Sequence, residues 1–221
     1  NIYYQTEGFD LTQMPDRWRE EWRENASWLH LSFHALQDQP PRPYRNAKYA
    51  HIAHDYELVC AHIRRFAGNE VLSTTTTVHW AECPKEAVMA LRDRGIEQLI
   101  GLFDWEEGPG TTGYYLTEEQ GRHCSERGAW HDRETGITFI NCAAVVNALE
   151  VEQIAPHLER RAASPHTGEL IELLIHEQYF RKELPYYQPT VQEKVRVAFE
   201  WVTAHGYEPV FWSDGFLGTP E

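Results

Sequence analysis

The chain has 221 residues, with 20 Lys and Arg against 34 Asp and Glu, for a formal net charge of −14. That length suffices for one large α/β domain, spanning 1–221, with its own core. The acidic balance argues against nucleic acid or a strongly anionic polymer as partner, and no apolar run is long enough to span a bilayer.

Residues 1–5 read as a short strand. Because the chain opens inside what looks like an element, a further strand is expected upstream of residue 1. A loop covers 8–15, and an amphipathic helix carrying Trp18 and Trp22 follows over 16–26. The Asn25-Ala26-Ser27 triplet matches a glycosylation sequon, a pattern common by chance.

The segment over 28–35 alternates cleanly. Leu29, Leu31, Phe33 and Ala35 share one face; Trp28, His30, Ser32 and His34 share the other, as in a strand with one buried side. It runs into Asp38, and Pro40 and Pro41 stop further pairing. A histidine at a strand end with a carboxylate four residues on can converge on one metal ion or one substrate.

A long helix is expected over 49–67, ended by Gly68. A strand over 71–80 places Ser73, Thr75, Thr77 and His79 on its polar face, so His79 ends a strand much as His34 does. A helix follows from Pro84 to about Arg94, with Gly95 as its cap, and then a strand over 97–104. Gly108, Gly110 and Gly113 match the dinucleotide spacing. Pro109 interrupts it and Tyr114-Tyr115-Leu116 follows where a helix should begin, so the stretch is read as a loop. A strand over 136–142 and a helix over 151–161, despite Pro156, come next. The strand over 169–176 ends in His176-Glu177; the zinc-protease pattern HExxH fails because residue 180 is Phe. A helix over 192–205, capped by Gly206, and a strand over 209–212 close the chain. Alternating strands and helices predict a parallel sheet with crossover helices, open or closed into a barrel. His34, His79 and His176 would then share the rim where strands end.

Cys60, Cys83, Cys124 and Cys142 are far apart with no CxxC pair, which argues against a finger-type zinc site and a disulfide framework. Twelve His, eight Trp and eleven Tyr are many; beside ordinary packing, they fit sugar-stacking platforms around a cleft.

These features resemble the polysaccharide deacetylase-like family, a distorted (β/α) barrel of about seven parallel strands. Three matches carry the resemblance. His34 and Asp38 look like the HxxxH metal motif, with Asp in place of the second histidine. Leu173-Leu174-Ile175-His176 looks like the late Leu-x-His strand. The segment over 195–212 looks like the closing helix-and-strand unit. The Asp-Asp strand of the family would precede residue 1, and His79-Trp80 stands where the family has an arginine motif. The resemblance implies a metal-dependent hydrolase acting on an acyl amide or ester of a carbohydrate, with His176 as catalytic acid.

His34, Asp38 and His79 are the candidate metal ligands, and an imidazole–carboxylate set suits a divalent ion, Zn first. Asp104 and Glu177 join His176 as candidate catalytic groups. Trp80, Phe33 and Tyr179 are candidate substrate contacts. His30, His51, His54 and His62 are assigned to surface or core. Two alternatives stay open. One is a glycosidase using Glu177 and Asp104 as paired carboxylates; the other is a carbohydrate-binding protein without catalysis. The expected partner is a carbohydrate or small molecule, with no membrane and a cytoplasmic setting.

Overall fold

The computed structural model describes residues 1–103 and 113–217. By their contacts they form two compact units. The first comprises Asn1–Ser125, Ala129–Asn141 and the segment from Val210; the second comprises Glu126–Gly128 and Cys142–Pro209.

The elements in chain order are β1 (Ile2–Tyr3), β2 (Gln5–Thr6), β3 (Phe9–Asp10), α1 (Arg19–Glu24), β4 (Phe33–Ala35), α2 (Tyr49–Phe66), β5 (Thr75–Thr76) and α3 (Lys85–Arg92). They continue with β6 (Gln98–Gly101), α4 (Glu118–Arg127), β7 (Ala129–Asp132), β8 (Ile137–Asn141), β9 (Ala144–Val145), α5 (Val151–Ala162), β10 (Leu173–Leu174) and α6 (Val191–Ala204).

In the first unit β1 pairs in parallel with β4, Ile2 opposite Phe33 and Tyr3 opposite Ala35. Leu31 makes a single parallel bridge to Leu72. The largest sheet runs β5-β6-β8-β7, parallel except for its last pair. Helix α2 turns Ile52, Val59, Ile63 and Phe66 inward, all essentially without exposure. At roughly 1.5–3 kcal/mol for each such side chain, this face accounts for much of the helix's stability. Gly68 ends α2 at φ +104°, where a Cβ would come within 2.9 Å of Arg23 Cγ. The conformation and the crowding both require glycine. In the second unit β9 and β10 pair in parallel, and α5 and α6 close on Val146, Ile154, Leu158, Ala198 and Trp201.

The expected barrel of about seven parallel strands is not what forms. The described residues make one four-stranded and three two-stranded sheets, two of the four containing antiparallel pairs. Alternation in a sequence states which face a side chain takes, and is silent on whether a neighbouring backbone stays in register. Over 28–35 only Phe33–Ala35 holds a ladder. Over 71–80 only Thr75–Thr76 does, because the backbone turns to positive φ at Trp80 and Ala81. Over 169–176 the ladder shrinks to two residues, and 209–212 leads into a 3₁₀ turn at Trp212–Asp214. The β8 edge is taken by β7. Gly136 at φ +72° and Asp132 Oδ1, accepting from the Glu134 N–H at 3.1 Å, make the hairpin turn that puts an antiparallel strand there. Among the described residues no helix is long and apolar enough to cross a membrane.

Candidate functional site

In the first unit two of the three expected metal ligands, His34 and His79, meet each other, while Asp38 faces, of the two rings, only the outer nitrogen of His79. Strand β4 presents His34, the loop after it carries Asp38, and the turn after β5 carries His79. The His34 Nδ1 bonds the carbonyl oxygen of Thr77. A carbonyl only accepts, so Nδ1 holds the hydrogen and Nε2 keeps its lone pair. That Nε2 lies 3.1 Å from His79 Nδ1. The other nitrogen of His79, Nε2, faces Asp38 Oδ1 at 3.6 Å. Tyr3 places its hydroxyl 2.9 Å from His79 Nδ1. Its ring stands edge-on to both imidazoles, with centroids at 4.9 Å from His34 and 5.4 Å from His79. Tyr3 reaches this position because β1 pairs beside β4.

The Nδ1 of His79 is satisfied in either tautomer. With the ring hydrogen on Nε2, its Nδ1 accepts from the Tyr3 hydroxyl; with the hydrogen on Nδ1, that nitrogen donates to His34 Nε2 at 3.1 Å. The facing nitrogens are also spaced to share a cation. Two nitrogens each 2.0–2.1 Å from a tetrahedral zinc stand about 3.3 Å apart, close to the observed spacing. The donor chemistry, two imidazole nitrogens with a phenol oxygen adjoining, is thus compatible with such an ion. Asp38, largely exposed, stands on the side of the outer nitrogen of His79 at 3.6 Å, longer than a hydrogen bond. Among the described residues no three His, Cys, Asp or Glu side chains group as a metal site.

The remaining candidates fall out differently. Trp80 is 47% exposed with its ring 5.9 Å from that of His79. Phe33 is wholly buried between Tyr44 and Tyr56, so it belongs to the core and meets no ligand. Asp104 lies outside the described residues.

His176 belongs to the second unit. Its backbone N–H and its Nδ1 both bond Asn147 Oδ1 at 3.0 Å. Burial holds its pKa below the ordinary histidine value, opposed by the Glu177 carboxylate. With its Nδ1 hydrogen on Asn147 Oδ1, the ring presents Nε2 as its other nitrogen. Glu177 is exposed, and Tyr179 stands edge-on to His176 at 6.0 Å. Asn147 also accepts at its backbone oxygen from Lys194 Nζ at 3.3 Å, and that ammonium, 4% exposed, reaches Gln188 Oε1 at 3.2 Å.

Tyr3, Asn147 and Lys194 are the polar members of these clusters that sequence reasoning passed over. Only for Tyr3 was there a signal, since a strand at 1–5 pairing beside 28–35 would carry it toward His34. Comparison with known proteins finds nothing similar: no family model, no curated protein and no solved structure matches the chain.

Proposed function

We propose that the first unit is the hydrolytic part of a metal-dependent enzyme that cleaves an acyl amide or ester on a carbohydrate. The observation that carries the proposal is the pair of imidazole nitrogens facing each other at 3.1 Å, with the other nitrogen of His34 on the Thr77 carbonyl and that of His79 facing the Asp38 carboxylate at 3.6 Å. His34 and His79 would hold a divalent ion, zinc by donor type, with Tyr3 adjoining. Such an ion would polarise the acyl carbonyl and lower the pKa of water.

The chain's own residues do the rest. The Thr77 carbonyl keeps the hydrogen of His34 on Nδ1 and so leaves Nε2 as a donor. Asp38 draws the hydrogen of His79 to Nε2 and leaves Nδ1 as the second donor. Tyr3 gives its hydroxyl hydrogen to His79 Nδ1 when no ion is bound. The exposed indole of Trp80 beside His79 and the acidic surface favour a neutral glycan over an anionic polymer.

The test is acetate release from acetylated glycans by the zinc-loaded and chelator-treated protein. Release that needs zinc and drops at least a hundredfold in His34→Ala supports the proposal. Release that is indifferent to both, or absent with every acylated glycan tried, would refute it.

A further inference from the structure

Among the described residues four that are not glycine have positive φ: Arg42 at 57°, Trp80 at 66°, Ala81 at 47° and Tyr114 at 55°. An L side chain in this region crowds the following carbonyl, and glycine alone visits it freely. All four meet in one place. Trp80 and Ala81 are chain neighbours. The Arg42 guanidinium lies 5.2 Å from the Trp80 ring centroid, and the Tyr114 N–H donates to the Ala81 carbonyl at 2.8 Å.

Each member of the patch is held by its surroundings. Arg42 donates to Glu82 Oε1 at 2.6 Å, and Arg45 reaches the same oxygen at 3.3 Å. The Ala81 N–H donates to the Val78 carbonyl at 2.6 Å. The Tyr114 hydroxyl donates to the Ile100 carbonyl at 2.7 Å. Strained residues persist where the surrounding structure over-determines them, and they gather at active sites and ligand clamps.

The backbone at position 80 favours glycine rather than tryptophan. Glycine would accept the backbone without strain, and nearly half of the indole stands in water. What the position delivers is a rigid aromatic face beside His79, braced on one side by Arg42.

We infer that Trp80 is a stacking platform for a neutral pyranose ring, aimed at the His34–His79 pair by the strained turn. This inference rests on the hydrolytic reading of that pair. A pyranose has a flat C–H face that packs on an indole while its hydroxyls stay hydrated at the rim. A cationic ligand would compete for an attraction that Arg42 already satisfies. Arg42 and Arg45 both engage the single Glu82 carboxylate, and the chain's charge of −14 disfavours an anionic sugar.

The test is calorimetric titration with the neutral N-acetylglucosamine tetramer, with cellotetraose and xylotetraose alongside. Wild type, Trp80→Gly and Trp80→Phe are compared, with Tm and zinc content measured on each. Trp80→Gly should weaken binding at least tenfold, about 1.4 kcal/mol, while Tm falls by less than about 3 °C or rises. Trp80→Phe should keep part of the binding. Unchanged affinity in Trp80→Gly would overturn the platform. So would a Tm loss of about 8 °C or more, which would make the ring structural, or absence of binding of all three glycans to wild type. Acetate release separates the two ideas: binding that depends on Trp80 without any hydrolysis leaves the platform standing and removes the hydrolase.

Discussion

Removing one hydroxyl, in Tyr44→Phe, should destabilise the first unit by about 2–4 kcal/mol. Tyr44 is 1% exposed. Its oxygen accepts the Leu36 N–H at 3.1 Å and donates to Asp55 Oδ2 at 3.0 Å. Burial and the Asp55 carboxylate push the hydroxyl's pKa far above the ordinary tyrosine value, so it remains a protonated donor at any ordinary pH. The bond to the carboxylate is charge-assisted and worth roughly 1.5–3 kcal/mol; the bond from Leu36 is worth roughly 0.5–1.5 kcal/mol. Asp55 keeps His54 Nδ1 at 3.0 Å and His51 Nε2 at 3.4 Å, which trims the upper end. Leu36 and Tyr44 bracket the loop that carries Asp38, so zinc affinity should fall as well. Urea unfolding followed by circular dichroism and tryptophan fluorescence reads the loss as a lower midpoint at constant slope. A change under about 0.5 kcal/mol, or full additivity with Asp55→Ala in a double-mutant cycle, would refute the chain of bonds as drawn.

Two further predictions concern buried titratable groups. Burial raises the Glu172 carboxyl to about 7, with the Cys142 thiol as a partner that lowers it. The folded protein then holds a proton that the unfolded chain releases above about 4.5. Stability should therefore fall as pH rises from about 4.5 to 7, by at most about 3 kcal/mol. Glu172→Gln should remove that slope; the same slope in the variant would place its origin elsewhere. Cys60, Cys83, Cys124 and Cys142 are buried, and desolvation lifts each thiol above its ordinary pKa, Cys60 to about 11. A disulfide reagent should find no reactive thiol in native protein at pH 7.5 and four in denaturant. A rapidly reacting native thiol would contradict that burial.

Helices were largely legible from sequence because their signals are local. The expected 49–67 became Tyr49–Phe66 and 192–205 became Val191–Ala204, with Gly68 and Gly206 at positive φ where the ends were placed. The helix over 151–161 formed as Val151–Ala162 with Pro156 inside. Helix α4 was missed, since Gly121 and the polar run around it offer little apolar periodicity. Strands were less legible because a ladder depends on a partner far away in sequence. His30 and His34 look alike in the 28–35 alternation. Yet His34 reaches the Thr77 carbonyl and His79, while His30 stacks on Phe211 at 3.7 Å. Reading strand ends grouped His34, His79 and His176; His34 and His79 meet, and His176 belongs to the second unit. That Asp38 faces the outer nitrogen of His79, and that Tyr3 adjoins the pair, depends on loop geometry and on the β1–β4 register, which residue spacing does not encode.

The most direct measurement is zinc binding by the purified full chain, by calorimetry and elemental analysis, in wild type, His34→Ala, His79→Ala and Asp38→Asn. Wild type should hold one equivalent, and either histidine substitution should abolish it. Asp38→Asn should keep the ion with affinity lowered about 10–100-fold, as for a carboxylate that orients a ligating histidine. Full zinc retention in both histidine variants would contradict the site.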